Sequence, residues 1–299
     1  MTLRRIQTGR SARYGRWEPY LYLLPAVAFL LVTFIYPILQ ILRLSLMKTS
    51  PSSLPSISLD FYKLVLSDRI FWRSAANNGE LMLSVPLMTV VGLVIAILLF
   101  ERVRGWKIYR SAIFLPYILA IPTVATTFVY LLGREGIVNS LLAAGGLGFL
   151  AQDWLGSQAL VIPSISLLII YRELGFGVVL FLAKLMSLDK EILEAAEIDG
   201  ANWWQKHLYV TLPQMAFVIE FFIVVEVITM LSWVFAYVYS STQGGPGYAS
   251  HVMEFYLWKH GFYYRSPEMA AATAVILLAV TTTLIVIQMR FRRFSLEEA

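Results

Sequence analysis

Six long stretches nearly free of Asp, Glu, Lys and Arg constrain this chain more than any motif in it. They cover about residues 20–42, 80–100, 111–133, 155–182, 215–240 and 269–290. Each is near or above the ~20 residues that carry a helix across a ~30 Å hydrocarbon core. Long uniform apolar runs exclude a β-barrel, whose strands alternate over about ten residues. Hydrophobic residues make up 58% of the chain and charged residues 14%. A soluble domain carries about 25% charged residues, so lipid must solvate part of this surface. No repeat or linker interrupts the pattern. The expectation is an all-α polytopic membrane protein with six transmembrane helices, in one domain over residues 1–299.

The distribution of Lys and Arg orients the spans. Residues 1–19 hold five, residues 101–110 four (Arg102, Arg104, Lys107, Arg110), residues 183–213 three, and the tail from Arg290 three. The opposite side holds seven: Lys48, Lys63, Arg69, Arg73, Arg134, Lys259 and Arg265. The excess assigns both termini to the cytoplasm of a cell membrane. The apolar run after the basic N-terminus is too long for a cleavable signal. The net charge of +5 therefore reads as topogenic and facing the lipid bilayer, with no nucleic-acid partner. Outside, Leu59–Leu66 reads as a short amphipathic helix lying on the membrane.

The chain has no cysteine, and its three histidines, His207, His251 and His260, are scattered. No metal site is expected. No glycine-rich phosphate loop with Lys-Ser/Thr is present, and no Ser/His/Asp arrangement stands out, so no catalytic residue is assigned.

Residues 183–213, between the fourth and fifth spans, carry the most information. Ser187 or Asp189 can cap a helix start. Glu191 to Ile198 are tolerable or good helix formers, with Ile192, Ala195 and Ala196 as an apolar stripe. Gly200 is placed to end this helix in the left-handed conformation. A second short helix is expected from Asn202 to Val210, with Pro213 forbidding its simple continuation.

This loop resembles the EAA loop of binding-protein-dependent ABC importer permeases. Glu194-Ala195-Ala196, then Gly200, then Val210-Thr211-Leu212-Pro213 match its pattern, and EAAEIDGANWWQ is the form of the sugar-type group that includes maltose and glycerol-phosphate permeases. Gln243-Gly244-Gly245-Pro246-Gly247 resembles the outer GGP segment of one of that family's two paired permeases. Tyr171 to Ala183 resembles its fourth span. The resemblance implies a type I ABC importer permease fold. It implies that Glu194, Ala195, Ala196, Asp199, Gly200 and Pro213 form the coupling contact with an ATPase. It also implies a second permease subunit in a heterodimer, an ABC ATPase dimer that binds ATP and Mg, an extracytoplasmic substrate-binding protein, and a carbohydrate or polyol phosphate as solute. This chain would hold no cofactor itself and would not be an enzyme.

Arg172, Glu173, Glu220 and Glu226 fall inside spans, where each ionisable group costs roughly 2.5–3.5 kcal/mol. As sequence neighbours Arg172 and Glu173 are expected not to face each other, so each requires its own partner. Gly175 and Gly177 lie one turn on and are read as loosening the helix. Arg172, Glu173 and Glu226 are candidates for a polar substrate pathway, with Trp233 and Tyr237 as aromatics that can stack on a sugar ring. Glu220, near a span end, fits a snorkelling role. Pro86, Pro116, Pro122 and Pro163 can kink their spans. A stand-alone secondary transporter or channel would account for the intramembrane charges but not for the 183–213 loop. An enzyme acting on lipid-linked sugar would call for acidic or His clusters at a membrane face, which are missing.

Overall fold

The computed structural model describes residues 18–50 and 53–297. The five basic residues counted before position 20 lie outside this range. Five helical segments are long and apolar enough to cross a membrane, and one sharply bent pair of helices meets the same length and composition when taken together.

The first span joins α1 (Glu18–Leu30) to α2 (Tyr36–Leu46) through a π-type turn at Leu31–Ile35. A small antiparallel hairpin, β1 (Met47–Ser50) and β2 (Ser53–Ile57), follows, which is not expected from the residue pattern. The amphipathic segment forms α3 (Asp60–Ser67). Its Val65 is fully buried in a cluster with Phe71, Met253, Tyr256 and Ala272, so this helix rests on the protein as well as on its exposed Leu59, Leu64 and Leu66. The second span is α4 (Arg69–Met82) running into α5 (Ser84–Phe100).

The third span is not one helix. α6 (Trp106–Ile118) stops, α7 (Ile121–Leu132) starts, and α8 (Ile137–Ala144) extends it, with a bend of 103° at the break. Leu119 and Ala120 are extended, and Pro122 stands in the first turn of α7. Its ring would collide with the carbonyl four residues back, so α6 cannot continue through it.

The fourth span, α9, runs unbroken over Val161–Met186, beginning later than the charge-free window. Gly175 and Gly177 do not loosen it. A Cβ on Gly175 would fall 2.7 Å from the Ile113 carbonyl of α6. On Gly177 it would fall 2.8 Å from the Phe222 ring. In lipid, side-chain burial brings little hydrophobic gain, and close approach of backbones supplies the packing instead. The buried faces of α5 and α9 meet along the core, with Met88, Ala96, Ile165, Ile169 and Phe181 at their centre.

α10 (Lys190–Ile198) is the expected loop helix. α11 (Trp203–Gln205) then leads through a π-type stretch, Lys206–Thr211, into α12 (Leu212–Ser232). Trp203–Ser232 is thus one continuous helical segment, which corrects the expectation of a second helix ending at Val210 before Pro213. The Leu212 N–H bonds back to the His207 carbonyl, five residues away. That π offset re-routes the carbonyls beneath the Pro213 ring. Trp233 ends α12, so residues 233–240 do not extend that helix; α13 (Phe235–Ser241) is separate. α14 (Met253–Trp258) packs beside α4, and α15 (Pro267–Glu297) is the last span.

The end of α5 carries an unusual cap. The Arg102 N–H bonds to Leu99 O at 3.1 Å and the Val103 N–H to Leu98 O at 3.4 Å. These are the two bonds of a Schellman turn. The left-handed position belongs to Arg102, at φ 55°, where glycine avoids a cost of about 1–2 kcal/mol.

Candidate functional sites: a two-helix hook and a buried charge cluster

The hook is built from local rules. The Asp189 carboxylate accepts from the Glu191 N–H at 3.0 Å and starts α10. Gly200 ends it at φ 82°. Its N–H bonds to Glu197 O at 3.1 Å, and Ala201 N–H to Ala196 O at 3.0 Å, a complete Schellman turn. Asn202 and Gln205 then form a reciprocal capping box for α11. Glu194, Ala195, Asp199, Gly200 and Pro213 are exposed and Ala196 is half-buried. Ile192 and Ile198 are also exposed, the latter by 86%. The outer face of the hook is therefore bare.

The inner face is tied down through a residue that sequence reasoning missed. Trp203 donates its indole N–H to both Glu101 oxygens at 2.9 Å. His207 Nε2 lies 3.1 Å from Glu101 Oε1, and its Nδ1 lies 3.1 Å from Thr211 Oγ1. Lys206 Nζ is 3.6 Å from Glu101 and 2.7 Å from Glu197 of α10. Burial pushes the Glu101 carboxyl up, but the hydrogen bonds from Trp203 and His207 and the charges of His207 and Lys206 outweigh it. The net result is a carboxyl held below its ordinary range. The only sequence signal was an acid placed at the end of a span beside four cations.

Arg172 and Glu173 of α9 and Glu226 of α12 come together beside Tyr117 of α6 and Tyr237 of α13. Arg172 Nη1 donates to Glu173 Oε1 at 2.5 Å. Tyr237 donates to the same oxygen. Arg172 also reaches Tyr237 Oη at 3.3 Å and, through Nε, the Leu119 carbonyl at 3.2 Å. Its guanidinium lies 5.1 Å from the centre of the Tyr117 ring. This overturns the expectation that Arg172 and Glu173 need separate partners. The arginine stem is long enough to curl back onto its neighbour, although the two Cα–Cβ bonds diverge. Glu173 is 5% exposed and Glu226 1% exposed. Glu226 Oε2 has no hydrogen-bond partner among the described residues. Tyr237 is fully buried, whereas Trp233 is 64% exposed at the α12–α13 junction. Tyr237 thus presents its hydroxyl to the cluster and no open ring face.

At the opposite end, Gly244 is buried at φ 82°. Gly245 accepts from Ser250 Oγ at 2.6 Å, and the Gly245–Pro246 bond is cis. The segment packs on His251 and Phe255. Burial, and then the Lys259 charge, hold the His251 imidazole down at about 4. Asn77 and Asn78, also missed from sequence, clamp this end. Asn77 donates to His251 O at 2.7 Å. Asn78 donates to Met230 O at 2.7 Å and accepts from Met253 N at 2.8 Å.

A bundle of apolar spans with one broken crossing, a bare hook and buried charge defines a polytopic helical membrane protein. Residues 80–294 match the family described as "Binding-protein-dependent transport system inner membrane component", and the chain belongs to that family. It is 32% identical over 286 residues to the probable ABC transporter permease protein YurN of Bacillus subtilis (strain 168), covering 94% of this chain and 97% of that one. It is 30% identical to the lactose transport system permease protein LacF of Rhizobium radiobacter, covering 91% and 94%. It is also 30% identical to the trehalose/maltose transport system permease protein MalF of Thermococcus litoralis, covering 95% and 96%. The fold matches the crystal structure of a bacterial ABC transporter involved in the import of the acidic polysaccharide alginate, with a TM-score of 0.80 at 23% identity over 93% of this chain and 95% of that one.

Proposed function

We propose that this chain is one of two paired permease subunits of an ATP-driven importer for a carbohydrate, a mono- or oligosaccharide or a related polyol phosphate. The exposed hook carries the reading. A short rigid helix with Glu194, Ala195, Asp199 and Gly200 turned outward and Ala196 half-buried beside them is suited to enter a cleft on an ATPase, while Glu101 fixes its inner face to the second span. ATP and Mg bind to that ATPase dimer, and this chain contributes no catalytic group. The Lys and Arg excess supports a cytoplasmic hook and cytoplasmic termini. The end bearing Gly244, Gly245 and Pro246 then faces the substrate-binding protein. The names of the relatives support a sugar as solute.

Arg172, Glu173 and Glu226, with Tyr237 and the exposed Trp233, are assigned to the polar path. A buried carboxyl group with an unused oxygen is costly unless something polar meets it during the cycle. Proteoliposomes holding this chain with its permease partner, ATPase and binding protein test both points. Sugar uptake should require ATP and the binding protein, and should fall severalfold in Glu226→Gln with assembly intact. Gradient-driven uptake by this chain alone refutes the importer reading. Wild-type uptake by Glu226→Gln removes that residue from the path.

A further inference from the structure

At the hook end of the bundle a cavity of about 310 Å³ opens between the end of α5, the start of α6 and the end of α9. Its size falls at the lower bound of small-ligand sites, about 300 Å³. Buried Leu182 and half-buried Trp106 line its depth, with exposed Met186 beside them. Arg102, Arg110 and Lys190 line it as well, and all three are exposed. No carboxylate lines it. Of the acids adjoining these cations in sequence, Glu101 has its oxygens engaged by Trp203, His207 and Lys206, and Asp189 and Glu191, on either side of Lys190, lie outside the cavity lining, with Asp189 accepting from the Glu191 N–H. None of the three cations forms an ion pair among the described residues.

A second observation points the same way. Arg102 occupies the left-handed position of the α5 cap, at φ 55°, where glycine is free of strain. Backbone strain of this kind persists where the surroundings or a ligand require the side chain.

We propose that this cavity binds one anionic phospholipid. Its phosphate sits among Arg102, Arg110 and Lys190, and the start of its acyl chain lies on Trp106, Leu182 and Met186. Basic pockets at the ends of membrane helices bind anionic head groups by charge. The apolar depth distinguishes this site from one for free phosphate, and its place at the ends of three spans puts it level with lipid head groups. Seated there, the lipid bridges α6 to Lys190, the first residue of α10.

The test uses the purified full-length chain in detergent, titrated with phosphatidylglycerol or phosphatidylcholine and read by native mass spectrometry. Wild-type protein should retain phosphatidylglycerol in preference to phosphatidylcholine, and millimolar inorganic phosphate should not displace it. R102Q/R110Q should weaken phosphatidylglycerol binding about 25-fold, since each basic residue contributes on the order of a factor of five at a membrane surface. M186W keeps all three cations but fills the cavity, and should also release the lipid. This second variant keeps the test decisive if the double variant fails to fold. K63Q/R265Q, at the other end, should bind as wild type. Equal retention by wild type and both cavity variants overturns the proposal, as does equal binding of the two lipids or displacement by phosphate. Loss of ATPase capture by R102Q/R110Q with lipid binding intact would identify the cavity as a protein interface and also overturn it.

Discussion

Trp203 and Glu101, 102 positions apart, are joined by two hydrogen bonds from one indole N–H, each 2.9 Å long. The contact ties the base of the hook to the end of the second span, so the hook cannot pivot independently of the bundle.

Breaking that contact should uncouple motor from pore. A hydrogen bond to a charged group contributes about 1.5–3 kcal/mol, and partial exposure of Glu101 places this one near the lower end. In the reconstituted complex, Trp203→Phe and Glu101→Gln should keep ATP hydrolysis while uptake per ATP falls severalfold. Lys206→Gln, which leaves the indole bonds in place, should have a smaller effect. An unchanged uptake-to-hydrolysis ratio in both of the first two variants contradicts the role given to this contact.

Gly175→Ala should destabilise the bundle by about 1–3 kcal/mol, the usual penalty for overpacking. The added Cβ would meet the Ile113 carbonyl at 2.7 Å, a backbone atom that cannot rotate away. Gly79→Ala meets nothing within 4 Å and serves as the control. Thermal unfolding in detergent reads the difference; equal midpoints for the two variants would rule out the close approach of α6 and α9.

Stability should decline in mild acid because of His251. Its imidazole is held at about 4 by burial first and by Lys259 second, whereas an unfolded histidine titrates near 6.5. Between those values the unfolded chain binds a proton that the folded chain refuses. Stability is therefore complete above about pH 6.5 and is lost as the pH falls toward 4. His260, also held down by burial, contributes with the same sign. After discounting for solvent screening, the expected loss from His251 is about 1–2 kcal/mol. His251→Gln should flatten the dependence of the melting temperature between pH 7 and 5, each variant compared with its own value at pH 7. A slope equal to wild type would assign the acid sensitivity elsewhere.

The spans were legible because lipid imposes a minimum apolar length, which a composition window detects directly. The hook was legible because its instructions are local: Asp189 starts a helix, Gly200 ends it, and Asn202 starts the next. What escaped depended on partners far along the chain or on atoms beyond Cβ. Arg172 and Glu173 diverge on a helical wheel, yet a flexible stem reunites them under Tyr237. Pro213 reads as a stop until a π turn absorbs it. Pro122 was one of four prolines able to kink a span, and only its setting after extended Leu119 and Ala120 marks it as the site of the sharp break. Gly175 and Gly177 signal weakness in one sequence, but against Ile113 and Phe222 they are points of contact.

The elbow between α6 and α7 has a latch. Arg172 spends its Nε–H on the Leu119 carbonyl, at the corner itself, and its Nη1 on Glu173. Straightening the corner would return that carbonyl to a helical ladder and pull the guanidinium from its seat, leaving the buried Glu173 carboxyl with the Tyr237 hydroxyl and without its cation. Shape and charge are thus locked together here: whatever opens the elbow must first offer Glu173 another cation or let it reach water.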